Sequence, residues 1–164
     1  MKGVRDIFAL IVVLALQATV LDRFEIAGIR PDLLVAYVIY FGWMRGPIPG
    51  TLGGFGIGLL QDLDASGPLG LNALAKAVIG FLVAKAGFRV HRSNVGVRFA
   101  FFFAAMLVHD LIYYGVVTGG EGGEFVKQFF VKAVPTAAYT TVFTILLLGI
   151  AERVTHVRLL ADET

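Results

Sequence analysis

Apolar residues fill long runs of this chain, and charged residues fall mainly in the short gaps between the runs. Such runs are typical of helices that cross a bilayer, although several are shorter than the roughly 20 residues that a perpendicular span needs. Flanking charged side chains can lengthen a span by snorkelling to the interface. The pattern predicts six transmembrane helices, at residues 7–21, 33–44, 46–61, 69–84, 99–120 and 133–151.

Composition places the chain in the same class. Hydrophobic residues make up 57% of the 164 residues and charged residues 16%, and the mean hydropathy is +0.80. A soluble domain of this size could not cover so much apolar surface. Because lipid offers the backbone no hydrogen-bond partners, the spans should be helical. We predict an all-α six-helix bundle in which residues 1–164 form a single integral membrane domain. Because the second and third runs nearly touch, one of them could instead be re-entrant.

Basic residues are distributed unevenly between the two sides of the predicted membrane. With the N-terminus placed inside, the inner segments hold most of them, as the positive-inside rule requires. Both termini are therefore expected in the cytoplasm, and Lys76 is left within a span. The inner residues are Lys2, Arg5, Arg45, Lys85, Arg89, Arg92, Arg98, Arg153 and Arg158, and the outer ones are Arg23, Arg30, Lys127 and Lys132.

Glycine recurs every four residues along the third run, at Gly46, Gly50, Gly54 and Gly58. This spacing places the four on one helix face, where the missing Cβ atoms allow a neighbouring helix to approach closely. Two interpretations remain open, which are packing inside the bundle and a docking face for a partner helix.

The segment after the third run predicts a tight outer turn. Asp62 and Asp64 precede Ser66-Gly67-Pro68, a combination that breaks helices and satisfies backbone groups locally. Acidic residues there also suit the dipole of the next helix, near Asn72. The turn is either a well-capped structural element or a rigid outer lip that contacts a partner. Two carboxylates without His or Cys make a poor metal site, so no metal is expected.

Lys76, His109 and Asp110 are polar residues at membrane depth. An unpaired charge there costs about 2.5–3.5 kcal/mol on insertion scales, so these groups should be paired or neutral. The sequence favours a Lys76–Asp110 ion pair, with Asp62 as the competing partner of Lys76. The pair would fix helix packing, couple to protons or ions, or make a polar contact with another protein.

Two features of the last third of the chain complete the pattern. Thr136, Thr140 and Thr144 form a four-residue stripe that predicts a packing face. Residues 124–132 mix phenylalanine with lysine and are expected to form a short interfacial helix on the outer leaflet.

Catalytic chemistry is not indicated by any motif. The chain has no cysteine and lacks Gly-x-Ser-x-Gly, His-Glu-x-x-His and Walker A sequences. We expect no enzyme activity, no cofactor and no nucleic-acid partner.

Residues 30–83 carry a resemblance to a known family. Arg30-Pro31-Asp32-Leu33-Leu34 opens one helix, and a glycine-rich helix ends at Gly58-Leu59-Leu60-Gln61-Asp62. The next helix opens with Ser66-Gly67-Pro68-Leu69-Gly70-Leu71-Asn72-Ala73-Leu74. A later segment, Val108-His109-Asp110-Leu111-Ile112, resembles the family's intramembrane acidic position. In order and spacing these segments resemble the rod shape-determining protein MreD of bacteria. Lys76 departs from the family pattern, which usually has an apolar residue there.

The resemblance implies a non-enzymatic role in the cell-elongation machinery of the bacterial inner membrane. Members pair with the single-span protein MreC, and through it with MreB, RodA and a class B penicillin-binding protein, which together support lateral peptidoglycan synthesis. The family is also thought to share its fold with the substrate-binding (S) components of energy-coupling-factor (ECF) vitamin transporters. The alternative function is therefore a vitamin-binding subunit of such an importer. Membrane lipids are expected to contact the protein in either case.

Overall fold

The computed structural model describes residues 2–19, 29, 31–64, 67–87, 94–119 and 121–161, with side chains from Gly3 to Ile150 except that of Asp64. Arg30, Ser66 and residues 88–93 of the basic inner loop lie outside the described residues. The described helices are α1 (Lys2–Thr19), α2 (Leu33–Arg45), α3 (Pro47–Asp64), α4 (Leu71–Gly87), α5 (Val95–Val117), α6 (Gly122–Gln128) and α7 (Val134–Ala161), and a π-helical segment (Phe129–Ala133) joins α6 to α7. The predicted all-α class is confirmed for this part of the chain.

Among the described helices, α2 and α5 each begin with a cap from the side chain of the residue just before the helix. The Asp32 carboxylate accepts hydrogen bonds from the backbone N–H groups of Leu34 (3.0 Å) and Val35 (3.1 Å), which have no partner inside α2. Asn94 caps α5 in the same way. An Asp or Asn immediately before an apolar run is a helix-start signal. The second span was predicted to begin at residue 33, where α2 begins, whereas α5 begins at Val95, four residues before the predicted start at 99.

Gly46 separates α2 from α3. Its φ of +96° lies in a region that L side chains rarely adopt, so glycine suits the junction. Pro47 then occupies the first position of α3, where its missing N–H has no consequence for helical hydrogen bonding. Gly46 therefore lies outside the helix that carries Gly50, Gly54 and Gly58, so the predicted four-glycine face begins at Gly50.

The core lies where α2 meets α3, α4 and α5. Val38 and Ile39 of α2, Ile79 of α4 and Phe102 of α5 are almost completely buried in it. The most extensive helix pair is α3 with α4, α5 packs on α4, and α7 packs on α5. Among the described elements, α1 packs only against α2. The molecule is thus a tightly packed group of four helices with α1 and α7 at its edges.

The last helices form one continuous rod from Gly122 to Ala161, instead of a separate interfacial helix at residues 124–132. The π segment ends just before Pro135, where the N–H of Val134 donates to the carbonyl of Phe129. A proline lacks the donor for the carbonyl four residues earlier, and its ring collides with that carbonyl in a regular α-helix. A wider π turn relieves this collision and allows the helix to continue.

Within the part of the chain that the structure describes, two helices are long and apolar enough to cross a bilayer by themselves, namely α5 and the rod over Gly122–Ile150. The helix α2 is apolar but shorter. Large apolar side chains are nevertheless exposed along other helices, among them Phe8, Ile48, Leu52 and Leu63. Soluble monomers rarely expose so much apolar surface, whereas lipid-facing helices do. The two helices that are long and apolar enough to span a bilayer correspond to the fifth and sixth predicted spans.

Candidate functional site

A polar cluster is buried between the helices, and Asp62 is its first member. Asp62 lies in the last turn of α3 and is only 4% exposed. Its carboxylate accepts hydrogen bonds from the backbone N–H groups of Gly70, Asn72 and Ala73, each at 3.0 Å. These donors lie at the start of α4 and have no partner inside that helix. Asp62 is therefore the cap of the following helix, within a well-capped connection.

Asn72 extends the cluster from Asp62 to Lys76. Its Nδ2 donates to Asp62 Oδ1 at 3.0 Å, and its Oδ1 accepts from Lys76 Nζ at 3.1 Å. Asn72 and Lys76 lie four residues apart and so share one face of α4. An amide is suited to this position because it offers a donor to the carboxylate and an acceptor to the ammonium.

Lys76 is completely buried, and its ion-pair partner is Asp32 on α2. The distance from Lys76 Nζ to Asp32 Oδ2 is 3.8 Å. Asp32 thus combines two roles, since it also caps α2. The pair joins α2 to α4, and the charge on Lys76 is balanced across the interface instead of remaining alone in a low-dielectric interior.

The prediction that Lys76 pairs with Asp110 was wrong, since its partner is Asp32. Asp110 Oδ1 lies 2.9 Å from Nδ1 of its neighbour His109, and it contributes to the electrostatic environment of Lys76 only from beyond contact distance. The predicted alternative, Asp62, reaches Lys76 through Asn72. Long helical side chains lean toward the N-terminus of their helix, which carries Nζ toward Asn72 and the start of α2.

His109 is buried on α5 and stacks on Tyr113, with ring centroids 6.4 Å apart. Its Nε2 and the Oε1 of Gln61 are buried and have no hydrogen-bond partner within the described residues. Buried polar atoms are usually paired, so each of these two atoms can still accept or donate one hydrogen bond to a water or to another molecule.

The threonine stripe of α7 joins the cluster at Asp32. Thr140 Oγ1 accepts a hydrogen bond from the Asp32 backbone N–H at 3.1 Å, and Thr144 Oγ1 donates to the Thr140 carbonyl at 2.7 Å. Thr140 and Thr141 are fully buried, while Thr136 is partly exposed. The stripe is therefore a packing face that ties α7 to the start of α2.

Close glycine contacts hold α3 against α4 beside the cluster. A Cβ at Gly54 would collide with the carbonyl of Lys76, and one at Gly58 would collide with the carbonyl of Asn72. Gly50 meets the backbone of Gly80 in the same way. This face is occupied inside the chain, which is the internal-packing interpretation of the glycine spacing.

The cluster is suited to holding the helices together. Lys76 faces the opposite charge of Asp32, and most hydrogen-bond donors of the cluster have an acceptor within it. Within the described residues no group of three potential metal ligands comes together. Asp32 was missed as a site residue because its capping signal gave no hint of an ion pair across the bundle. The side chain of Asp64 lies outside the described residues.

Comparison with known families decides the family of the chain. A family model described as rod shape-determining protein MreD matches residues 4–153, beginning within α1 and ending within α7. The match includes every residue of the polar cluster. The chain belongs to the MreD family. The family expected from residues 30–83 is thereby confirmed.

MreD proteins are structural membrane proteins that act in rod-shape determination, and they are not known as an enzyme family. In the MreD chain described here, the polar cluster is thus part of a structural protein. A search of curated proteins and a search of solved structures each gave no match. The fold relationship to ECF S components therefore stays a prediction.

Proposed function

We propose that this chain is a non-enzymatic membrane scaffold of the bacterial cell-elongation complex. In this role it binds MreC and, directly or through MreC, connects MreB, RodA and a class B penicillin-binding protein to lateral peptidoglycan synthesis. The observation that carries the proposal is the MreD family match over residues 4–153. The contacts of Lys76 agree with a scaffold role, because its side chain pairs with Asp32 and Asn72 and so joins α2 to α4.

The proposal includes a six-span topology in the inner membrane with both termini in the cytoplasm. The polarity of the bundle supports this orientation. Arg45 at the end of α2 pairs with Asp6 near the start of α1, and the Trp43 Nε1–H donates to the Gly87 carbonyl at the end of α4 (2.9 Å). One end of the bundle thus collects the predicted cytoplasmic segments, while Asp32 and Asp62 lie toward the other end.

Depletion in a rod-shaped host tests the scaffold role. Cells that lose the protein should become round, and a tagged copy should co-purify with MreC from detergent extracts. Expression of the wild-type chain should restore rods. Rods that persist after full depletion, together with no MreC in the purified material, would reject the proposal.

The alternative function, a vitamin-binding subunit of an importer, is favoured by one observation. His109 Nε2 and Gln61 Oε1 are buried polar atoms without partners among the described residues, and a polar ligand would supply such partners. Native mass spectrometry of the purified protein with water-soluble vitamins discriminates the two functions. A stoichiometric complex that is lost in His109→Phe would support the importer, and the absence of any complex would support the scaffold.

A further inference from the structure

A cavity of about 600 Å³ lies between α1, α2 and α7, away from the polar cluster. Its walls are mostly apolar side chains from all three helices, including Phe8, Val12, Phe41 and Leu147. Phe8 is 67% exposed, so the cavity opens sideways to the surroundings of the bundle. Its volume lies within the roughly 300–1,000 Å³ range of ligand sites in proteins.

Polar contacts at both ends of α1 hold this cavity open. At one end the Asp6 carboxylate pairs with Arg45, and the Tyr37 hydroxyl donates to the Asp6 carbonyl at 2.8 Å. At the other end the Leu33 N–H donates to Gln17 Oε1 at 3.0 Å. Between these contacts α1 packs against α2 but does not approach α7 closely, so the cavity lies between the three helices as a built feature of the fold.

The length of the cavity fits one leaflet of a membrane. Its lining on α1 extends from Arg5 to Leu16, a rise of about 16 Å along a helix. The hydrocarbon core of a bilayer is about 30 Å thick, so one leaflet spans about 15 Å. An acyl chain that begins at the Arg5 end would therefore reach the far end of the cavity.

The charge at the mouth fits an anionic headgroup. Arg5 lines the cavity and is exposed, while the neighbouring Asp6 is neutralised by its pair with Arg45. The local charge is thus positive. In the proposed orientation this mouth lies at the cytoplasmic leaflet, where anionic lipids collect and each basic residue contributes about 1 kcal/mol of attraction.

We propose that this cavity binds one acyl chain of an anionic phospholipid, with the phosphate of the headgroup at Arg5. The proposal goes beyond the scaffold function and does not depend on MreC.

Native mass spectrometry of the full chain tests the proposal, with phosphatidylglycerol and phosphatidylcholine as probes. Wild-type protein should retain one phosphatidylglycerol and little phosphatidylcholine. Ala9→Trp, which fills the cavity from α1, should abolish retention. Its matched control is Ala104→Trp, at an exposed position of α5 outside the cavity, which should bind like wild type.

A second substitution tests the headgroup contact while leaving the apolar walls of the cavity unchanged. Arg5→Gln should weaken phosphatidylglycerol binding about fivefold, the change that corresponds to about 1 kcal/mol. Lys127→Gln, which removes an exposed charge on α6, should leave binding unchanged. Equal retention of both lipids by wild type and Arg5→Gln would overturn the proposed headgroup site, and equal retention by Ala9→Trp would overturn the cavity.

Photocrosslinking in cells distinguishes the occupants. A benzophenone side chain in place of Phe8 should yield a lipid adduct of the single chain. An adduct with a transmembrane peptide, or with a second copy of this chain, would show that a protein helix occupies the cavity and would overturn the proposal. MreC co-purification provides a separate measurement, so the lipid site and the scaffold function can fail independently.

Discussion

At the scale of single residues, capping and charge pairing are combined in the same side chains. Asp32 caps α2 and faces Lys76, and Asp62 caps α4 and fixes Asn72. Each carboxylate therefore satisfies backbone donors that a membrane would leave without water. The charge of Lys76 is balanced by Asp32, and its ammonium also donates to Asn72. Both partners are held in place at the start of a helix. Replacing one of these side chains should therefore lower the free energy of unfolding by more than the loss of its own hydrogen bonds, because its partners stay buried without a counterpart.

The Lys76–Asp32 pair predicts a coupled double-mutant cycle. Lys76→Met leaves Asp32 without its counterion, and Asp32→Asn leaves a buried ammonium while still providing an oxygen for the α2 cap. Each should destabilise the protein by about 3–5 kcal/mol, and the double variant should recover much of the loss. Reversible unfolding in mixed detergent micelles measures the three values.

The pair Lys76 and Asp110 is the matched control for this cycle. The two residues are not in contact, so their coupling should be clearly smaller than that of Lys76 with Asp32. A larger coupling to Asp110 would show that the ion pair in the folded protein is the one expected from the sequence.

The Asp62 cap predicts a large loss of stability when its carboxylate is removed. Asp62→Ala removes the acceptor for Gly70, Asn72 and Ala73 and should lower the free energy of unfolding by at least about 2 kcal/mol. Glu124→Ala, whose carboxylate contacts Gln128 on an exposed face, should change it by less than about 0.5 kcal/mol. Thermal melts of both variants provide the measurement, and similar melting temperatures would contradict the cap.

At the scale of helices, the pairing of α3 with α4 depends on the absence of side chains. Gly50, Gly54 and Gly58 bring the two backbones into contact, and Gly80 does the same from α4. Without a hydrophobic driving force between helices in lipid, such close packing is a main source of association. The opposite face of α3 exposes Leu52 and contributes to the apolar exterior.

Two glycines of α3 predict opposite outcomes for the same substitution. Gly54→Ala forces a methyl group against the Lys76 carbonyl and should destabilise the protein by about 1–3 kcal/mol or more. Gly56 has no atom near its added Cβ, so Gly56→Ala should be neutral or stabilise by up to about 1 kcal/mol through helix propensity. Melting temperatures in one detergent decide between them, and equal changes in the two variants would contradict close packing as the reason for glycine at position 54.

At the scale of the whole molecule, large apolar side chains cover much of the described exterior, while Asp62 and Lys76 carry charges into the interior. The basic ends of α1, α2 and α4 lie together, and the carboxylates of Asp32 and Asp62 lie toward the other end. This inversion of a soluble protein fits a bilayer, where an exposed charge is costly and an exposed Leu is not.

The orientation of the bundle predicts sidedness of labelling. Because the chain has no cysteine, Ser66→Cys and Ser93→Cys create single reactive sites on the two sides of α4 in sequence. In intact spheroplasts an impermeant maleimide should label Ser66→Cys, while Ser93→Cys should react only after permeabilisation. The reverse pattern would place both termini outside.

The sequence by itself determined the class of fold, the family and most helix positions. The run at residues 33–44 became α2 (Leu33–Arg45), because apolar periodicity and an Asp cap are local properties of the chain. Local signals also placed Gly50, Gly54 and Gly58 on one face. The sequence did not predict that α6 and α7 join into one rod. A proline such as Pro135 can end a helix or can be accommodated by a π turn, and the residue type alone does not decide between the two.

Only the tertiary structure decided which distant residues meet. Depth along each helix made Asp110 the expected partner of Lys76, but depth ignores the direction in which a helix faces and in which a long side chain leans. The packing of α4 against α2 brings Lys76 to Asp32, and a cavity remains where α1 and α7 both pack on α2 without approaching each other closely. Both depend on packing between segments far apart in sequence, because contacts inside one helix fix its length and faces but not its neighbours.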